Sequence, residues 1–442
     1  MHNSARFNNI HPGLTCEHAR HLLMKSATEQ DSESDFYTAA AHLINCPCLE
    51  TEKILIDFLE YRSESSQSVK IAKRKVVEVL ARLGSEDAIQ VIGKCLWSDD
   101  HYLVENSVWS LQVLHCDDEA LIDKMIDLLE SDTINQRIII QCLATLNISK
   151  SLDVIHPFQS HSVPGIQGAA IAAIAKLSND FSRVCDISKG LLLPNQMDRH
   201  CAIQDLIDAC AVDQLNDIFS APVSPVFKTR ALRKMYDGKS LEKIDTNLLS
   251  SLDSVMSCDL SIINYVHQYD TVNPTIDFLI RELYNTDFGR CYLALRHIYS
   301  SSSAMLFPVV KASWLDEAYN DYGAHYFFTC LFGAFSDWPE DSKSWIIDIL
   351  LSSVFNQKPQ FQKSRAAAVL SLSKLNQSLA CEIFPQLLEN RDLLPWEMRY
   401  ALIQSVDNYM VMDKSAKCNM VLNISDRDLD VFVQARALKV LR

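Results

Sequence analysis

Residues 72–83 read AKRKVVEVLARL, and three further segments repeat their pattern: LVENSVWSLQVL at 103–114, NQRIIIQCLATL at 135–146 and IQGAAIAAIAKL at 166–177. Successive segments end 31, 32 and 31 residues apart. Apolar or small residues occupy the fifth, ninth and twelfth positions of each segment, which is the spacing of one face of an α-helix. The sequence therefore predicts a helical repeat.

Each segment resembles the HEAT motif, so we expect an all-α fold, a HEAT-like helical-repeat solenoid with the curvature of an α/α superhelix. Asp100 and Asp132 stand just ahead of two of these helices, where an aspartate can accept bonds from free backbone N–H groups. The register continues more loosely at 201–207 and 227–235, returns clearly at 364–375, and is followed by further segments at 399–406 and 431–441.

The repeat also suggests a domain division. We expect a polar leader over residues 1–35, with a short helix after Thr15, and an N-terminal array over 36–238. Residues 239–274 break the pattern and are interpreted as a junction. A C-terminal array covers 275–442 and contains an aromatic-rich segment at 284–338. The last repeat has no evident cap, which leaves an open solenoid end that either is a truncation or pairs with a partner, such as a second copy in a homodimer.

Composition excludes several classes of protein. With only 10 glycines and 13 prolines there is little turn chemistry, and neither glycine-rich phosphate-binding motif occurs, so nucleotide enzymes are set aside. A net charge of -15 argues against binding to nucleic acid and to anionic membranes. No apolar run approaches the roughly 20 residues that a bilayer requires, so we expect a cytoplasmic protein without membrane insertion.

The 14 cysteines are scattered, several of them at the spacing of helical core positions. We expect these to be reduced thiols that behave as small apolar groups: Cys142, Cys201, Cys210 and Cys330. The pair Cys46-Pro47-Cys48 comes without a second cysteine pair or a His-x-x-x-His motif. We therefore predict no metal site.

The aromatic-rich segment contains 14 of the 38 aromatic residues, which is about a threefold enrichment. Four of its phenylalanines stand at helical spacing and are interpreted as core residues: Phe327, Phe328, Phe332 and Phe335. Tyr319, Tyr322 and Tyr326 carry a polar tip and stand beside Asp321 and His325. We expect Tyr319, Asp321, Tyr322 and His325 to face the concave groove or its rim.

Basic residues gather in two places: Lys228, Arg230, Arg233 and Lys234, and then Arg290, Arg296 and His297. Any single one can belong to a solvated face or to the arginine ladder of a HEAT array. Together, aromatic faces, arginines and a carboxylate in one groove suit a flat, conjugated ligand with two acidic groups, such as a linear tetrapyrrole.

The segment WLDEAYNDYGAHYFF at 314–328, the helix RCYLALR at 290–296 and the HEAT helices on both sides resemble the phycobilin lyases of the E/F clan. Within that clan the chain is similar to the long single-chain phycoerythrobilin lyases and lyase-isomerases that act on phycoerythrin. The resemblance runs from about residue 40 to residue 442. The founding members of the clan are two separate chains, so their two-subunit arrangement does not transfer to this single polypeptide.

The resemblance implies that the chain binds phycoerythrobilin as a substrate, uses no cofactor, and joins the bilin as a thioether to a cysteine of an apo-phycoerythrin subunit, with the alpha subunit as the expected acceptor. Isomerisation to phycourobilin would in addition need an acid and a base. The catalytic candidates are Asp321 with Tyr319, and then His325. The bilin-binding candidates are Arg230, Arg290, Arg296, Trp314, Tyr322 and Tyr326. Two alternatives stay open: a HEAT adaptor or chaperone that binds only protein, and a bilin carrier without transfer chemistry.

Overall fold

The computed structural model describes residues 13–62, 66–131, 133–237, 241–270, 273–389, 393–408, 414–425 and 428–441. Within these ranges every regular element is a helix, which confirms the predicted all-α, HEAT-like repeat fold. The described helices include none that is both long enough and apolar enough to cross a membrane. The chain divides into two compact units, residues 1–184 and residues 185–442.

The first unit is a stack of helix pairs joined by short turns. Its α-helices are α1 (Cys16–Met24), α2 (Asp35–His42), α3 (Leu49–Tyr61), α4 (Gln67–Leu83), α5 (Ile89–Lys94), α6 (His101–Val113), α7 (Glu119–Asp127), α8 (Gln136–Thr145), α9 (Leu152–Ile155) and α10 (Pro164–Ser178).

The four repeated segments form one row of neighbouring helices, because α4 packs on α6, α6 on α8 and α8 on α10. The fifth and ninth positions of the motif are buried in every member of the row. Each large aliphatic side chain buried in this way contributes about 1.5–3 kcal/mol. Asp100 caps α6 as predicted, accepting from the Leu103 N–H at 3.4 Å, and it also pairs with Arg74 at 2.7 Å. Asp132 lies outside the described residues.

The helices of this row end in a residue with left-handed backbone. Gly84 (φ 74°) follows α4, and His115 (φ 52°) and Asn147 (φ 59°) occupy the equivalent places after α6 and α8, while Asn179 (φ 59°) follows α10, one position later in the repeat. After α6 and α8, the residue that follows the left-handed residue donates its backbone N–H to the carbonyl five residues earlier. Cys116 N–H, for example, donates to the Leu111 carbonyl at 2.9 Å. These are Schellman ends. Three of the four left-handed residues in this row are not glycine. These helix ends therefore could not be recognised from the positions of the few glycines in the sequence.

The predicted leader contains a packed helix. Thr15 caps α1 by accepting from His18 N–H at 3.1 Å, and Leu22 and Leu23 are buried. Cys16 forms a disulfide with Cys46. Residues 16–24 therefore belong to the folded first unit.

The disulfide corrects part of the expectation for the cysteines, because the folded chain brings together two that lie 30 residues apart. Cys142 and Cys330 are buried as expected, whereas Cys201 is half-buried and Cys210 is exposed. Cys210 has a left-handed φ of 51° just after a helix, which places it at a helix end and not on a core face.

The second unit continues the paired-helix pattern. Its α-helices are α11 (Val184–Ser188), α12 (Gln196–Asp208), α13 (Leu215–Ser220), α14 (Pro225–Met235), α15 (Thr246–Met256), α16 (Ile276–Glu282), α17 (Phe288–Ile298), α18 (Ser303–Ser313), α19 (Tyr322–Phe332), α20 (Glu340–Phe355), α21 (Gln362–Leu375), α22 (Gln377–Glu389), α23 (Trp396–Asp407), α24 (Lys414–Ser425) and α25 (Val431–Leu441). The row in this unit is α17, α19, α21, α23 and α25, each packed on the next.

The last helix of the second unit is covered by α15, which comes from the segment predicted as a junction. Helix α15 packs against both α23 and α25. Asp253 on α15 pairs with Arg436 at 3.0 Å and accepts a hydrogen bond from the Tyr400 hydroxyl at 2.8 Å. Helix α25 therefore buries part of its surface against an earlier helix of the same unit, and the open solenoid end stays a prediction.

Candidate functional site

Asp321 is the N-cap of α19. Its Oδ1 accepts hydrogen bonds from the backbone N–H groups of Gly323 at 2.8 Å and Ala324 at 2.7 Å. Among the described residues no basic side chain lies within ion-pair distance of this carboxylate. Asp321 therefore has one oxygen committed to the helix end and a second that can face a ligand.

Tyr319 and Tyr322 flank this cap and are exposed to solvent, at 56% and 61%. Tyr319 directly follows one turn of π-helix, Trp314–Ala318. Turns of π-helix are rare in proteins, and those that occur are often found at functional sites. The side chains of Tyr319 and Tyr322 are therefore accessible to solvent close to Asp321 in sequence, and their position in a concave groove or at its rim stays a prediction.

Lys363, in the first turn of α21, completes this cluster, and sequence reasoning missed it. Its Nζ lies 4.8 Å from the ring centre of Phe288 and 5.4 Å from that of Tyr322. Burial lowers the pKa of Lys363, and the charge of Asp321 opposes that shift. We call Tyr319, Asp321, Tyr322 and Lys363 the cap cluster. A lysine at a helix N-terminus opposes the helix dipole, which is the only sequence signal that could have singled it out.

His325, Tyr326 and Trp314 lie inside the helix packing. His325 is 4% exposed, with its ring 5.0 Å from that of Trp314 and 4.7 Å from that of Phe361. Burial lowers the pKa of His325 to about 4, so the ring is neutral at pH 7. Tyr326 is buried as well and packs against Phe327. These three side chains are packed in the interior between helices. His325 is therefore not accessible, unlike Tyr319 and Tyr322, and does not lie in the open groove position that we expected.

The three candidate arginines have different surroundings. Arg290 pairs through Nε with Glu282 at 2.8 Å, and Arg296 lies over the ring of Tyr265 at 4.7 Å. Arg230 is exposed and donates to the Gln204 side chain at 2.7 Å. Only Arg230 of the three lines one of the larger described cavities.

This cavity has a volume of about 550 Å³ and lies between α14, the start of α23 and the start of α25. We call it the arginine cavity; its lining includes Arg230, Arg233, Lys234, Tyr236, Trp396, Glu397, Asp430 and Phe432. Arg233 pairs with Asp430 at 3.5 Å and stands over the Trp396 ring at 5.5 Å. Cationic groups and aromatic walls therefore share one concave surface.

Two carboxyl groups in the arginine cavity have raised pKa values. Burial raises the pKa of Glu397, and burial also raises the pKa of Asp430 although Arg233 opposes the shift. A carboxyl group with a raised pKa holds its proton closer to neutral pH and can serve as a general acid. Sequence reasoning missed both residues, because their burial arises only where α23 and α25 meet α14.

The cap cluster and the arginine cavity lie along the same edge of the helix row. Tyr322, Lys363 and Glu397 stand in the first turns of α19, α21 and α23, and Asp430 precedes α25. Neighbouring helices in such a row are about 8–10 Å apart. The edge therefore presents successive helix N-termini, which favour anionic groups, beside Lys363, Arg230 and Arg233.

No known family profile matches the chain. The bilin biosynthesis protein CpeY of Synechococcus sp. (strain WH8020) is 65% identical over 418 residues, which cover 95% of this chain and 100% of that protein. The uncharacterized phycocyanin operon protein Y of Pseudanabaena tenuis (strain PCC 7409) is 32% identical over 394 residues, which cover 88% of this chain and 90% of that protein. The structure of the CpcE and CpcF complex of phycocyanin lyase from Nostoc sp. PCC7120 matches with 22% identity and a TM-score of 0.47, over 58% of this chain and 99% of that one.

Proposed function

We propose that this chain, which belongs to the family of the bilin biosynthesis protein CpeY, is a bilin lyase that attaches phycoerythrobilin to a cysteine of a phycoerythrin subunit. The acceptor is the alpha subunit in our proposal. The name of the relative supports a role in bilin chemistry, and its cover of 95% of this chain supports a role for the whole chain and not for one unit alone.

The proposed reaction is an addition and needs no redox partner. The acceptor thiol adds to the ethylidene carbon of ring A, a carbon–sulfur bond forms, and the proton ends on the neighbouring ring carbon. The nucleophile belongs to the acceptor protein. The lyase contributes an oriented, extended bilin, which removes much of the entropic part of the barrier, and a proton donor.

The arginine cavity is the observation that carries this proposal. Its volume of about 550 Å³ lies within the roughly 300–1,000 Å³ of small-molecule sites. Arg230 and Arg233 suit the two propionates, because guanidinium groups bind carboxylates through paired hydrogen bonds. The Trp396 and Phe432 side chains, which are almost fully buried, suit the walls against which pyrrole rings pack.

The proton donor is assigned to the same edge. Glu397, whose pKa is raised by burial, is our candidate for the acid of the addition step. Asp321 with Tyr319 stays our candidate pair for an isomerisation to phycourobilin, because Asp321 keeps one carboxylate oxygen outside the cap bonds and Tyr319, two residues earlier, is exposed. His325 is our second candidate, and it would need α19 to open before it could reach a ligand.

The test is co-expression of the chain with a bilin-producing pathway and an apo-phycoerythrin alpha subunit. We expect a bilin that stays on the subunit in a denaturing gel, with the absorbance of a thioether-linked phycoerythrobilin. A carrier would yield bilin that denaturation removes, and an adaptor would yield none. Either result would overturn the lyase proposal.

The arginine contacts are tested by bilin titration into Arg230→Ala, Arg290→Ala and Arg296→Ala. A shielded charge-assisted bond contributes about 1.5–3 kcal/mol, so losing it weakens binding about tenfold or more. We expect the largest loss for Arg230→Ala, since Arg230 lines the arginine cavity, whereas Arg290 is paired with the Glu282 carboxylate and Arg296 lies over the Tyr265 ring. Melting temperatures of the three variants report whether folding is intact. Unchanged affinity in all three would remove them as ligand contacts.

A further inference from the structure

Three side chains that bind soft metal ions meet in the first unit. Cys16 begins α1, His42 ends α2, and Cys46 follows the next turn. Their ligand atoms all lie within 4.8 Å of one another, and within the described ranges this is the one group of three or more such residues that meets this distance. His42 is 5% exposed and Cys46 is 6% exposed, whereas Cys16 is half-buried, so two of the three donors are shielded from water and the third side of the group stays accessible to a fourth ligand.

We propose that Cys16, His42 and Cys46 bind a zinc ion when the Cys16–Cys46 disulfide is reduced. A dithiol reductant supplies two electrons and two protons, becomes a cyclic disulfide itself, and leaves two thiols in the protein. Zinc then replaces the two thiol protons, which are released to solvent, and the neutral His42 ring donates a nitrogen lone pair. A water molecule takes the fourth position of the tetrahedron.

The chemistry of the three donors favours zinc over harder ions. Thiolate and imidazole ligands suit zinc, whereas magnesium and calcium prefer oxygen. Two thiolates, one neutral imidazole and one divalent ion have a net charge of zero. A neutral assembly avoids most of the cost of burying charge, which suits a site with two ligands as buried as His42 and Cys46.

The distances are compatible with this exchange. Zinc–sulfur bonds of about 2.3 Å in a tetrahedron hold two sulfurs roughly 3.8 Å apart, within the 4.8 Å spread of the group. Breaking the disulfide therefore requires only a small outward movement of the two sulfurs. Either link, disulfide or zinc, fastens α1 to Cys46, which follows the turn after α2, so α1 keeps its position in both redox states.

Cys48 offers a matched control, because it is close in sequence but points elsewhere. It is exposed, and its Sγ lies 3.3 Å from the Thr51 hydroxyl and 3.8 Å from the Arg20 guanidinium. It does not belong to the group of three. Removing its thiol changes the number of nearby cysteines without changing the proposed ligands.

The experiment uses the full chain, either oxidised or reduced with a phosphine, and then exposed to zinc chloride and desalted. We expect about one zinc per reduced chain by mass spectrometry and almost none in the oxidised chain. Cobalt in place of zinc should give the visible bands of a tetrahedral site with sulfur ligands. Cys48→Ser should keep both signals, and Cys16→Ser should lose them.

His42→Phe keeps the test valid if a cysteine variant folds poorly. It leaves the disulfide able to form and fills the same buried space with a ring that has no ligand atom. We expect the oxidised His42→Phe chain to melt like the wild type, and its reduced form to bind zinc at least tenfold more weakly. A reduced wild type that takes up no zinc would overturn the proposal, as would undiminished zinc in Cys16→Ser or in His42→Phe.

Discussion

Replacing Asp321 separates its role as a helix cap from a role in chemistry. Asparagine keeps a carbonyl oxygen in the Oδ1 position, which accepts the bonds from Gly323 and Ala324 at 2.8 and 2.7 Å. Asparagine and aspartate cap helices about equally well. The amide, however, cannot act as a base or hold a negative charge. We therefore expect Asp321→Asn to keep the melting temperature and to lose the isomerisation that we propose for Asp321, while attachment of the bilin continues.

The magnitudes follow from the two hydrogen bonds. Losing an N-cap side chain costs about 0.5–2 kcal/mol, and Asp321→Ala leaves two backbone N–H groups without that acceptor, so we expect about 1–2 kcal/mol. At about 2–4 °C per kcal/mol, the melting temperature should fall by about 2–8 °C. Removing a general acid or base lowers a rate by about 100-fold to 10,000-fold. We expect a loss in that range for Asp321→Asn.

Asp118→Ala is the control for lost capping, because Asp118 caps α7 in the first unit by accepting from Leu121 N–H at 3.0 Å. This variant should lose stability to a similar extent and keep full activity per folded molecule. The assay is the yield of covalently attached and of isomerised bilin per folded lyase in a reconstituted reaction, with melting followed by circular dichroism. Full activity in a folded Asp321→Asn protein would refute the chemical role and leave Asp321 a cap.

Three further predictions concern stability. Burial raises the pKa of Glu397. The contribution of Glu397 to the stability of the fold is therefore present at low pH, where the carboxyl group is protonated, and is lost as pH rises and the buried group ionises. Glu397→Gln should melt higher than the wild type at pH 8 and nearly equally at pH 4. Because the pKa of His325 is lowered to about 4, the unfolded chain takes up a proton first and stability falls from pH 6.5 towards 4; melting curves of His325→Phe should lack that part of the fall. His115→Gly should raise stability by up to about 1 kcal/mol in urea unfolding, because glycine relieves a left-handed φ of 52°, whereas Asn147→Gly should gain less, since asparagine tolerates that conformation.

The sequence could predict the parts of the fold that depend on near neighbours. The spacing of apolar residues fixes the buried face of each helix, and a repeat protein packs each helix on the next, so the row from α4 to α10 follows from sequence. The contact of α15 with α25 does not follow, because it joins elements that are far apart in the chain. The pairing of Cys16 with Cys46 was missed for a similar reason: it depends on how α1 folds back on α2.

The candidate site was predicted only in part, for a reason that concerns burial. Tyr319, Asp321 and Tyr322 were singled out from the sequence because tyrosines with a polar tip stand beside an aspartate within one short aromatic-rich segment. Lys363 and Glu397 stand in separate repeats, and neither has a distinctive motif around it. Their shifted pKa values come from neighbouring helices that cover them, and no window of sequence contains that information.

The two Asp-aromatic-Gly turns of the second unit share one capping geometry and differ in what else binds the carboxylate. Asp287 begins α17 as Asp321 begins α19, and each accepts a backbone N–H from the glycine two residues later, at 2.8 Å in both cases. The carboxylate of Asp287 is also bound by Arg199 and, at 2.8 Å, by His267, and these partners lower its pKa. Asp321 has no such basic partner within ion-pair distance among the described residues. The same cap is thus bound by basic partners in one repeat and keeps a free oxygen in the next, which leaves the Asp321 carboxylate available for the role that we propose for it.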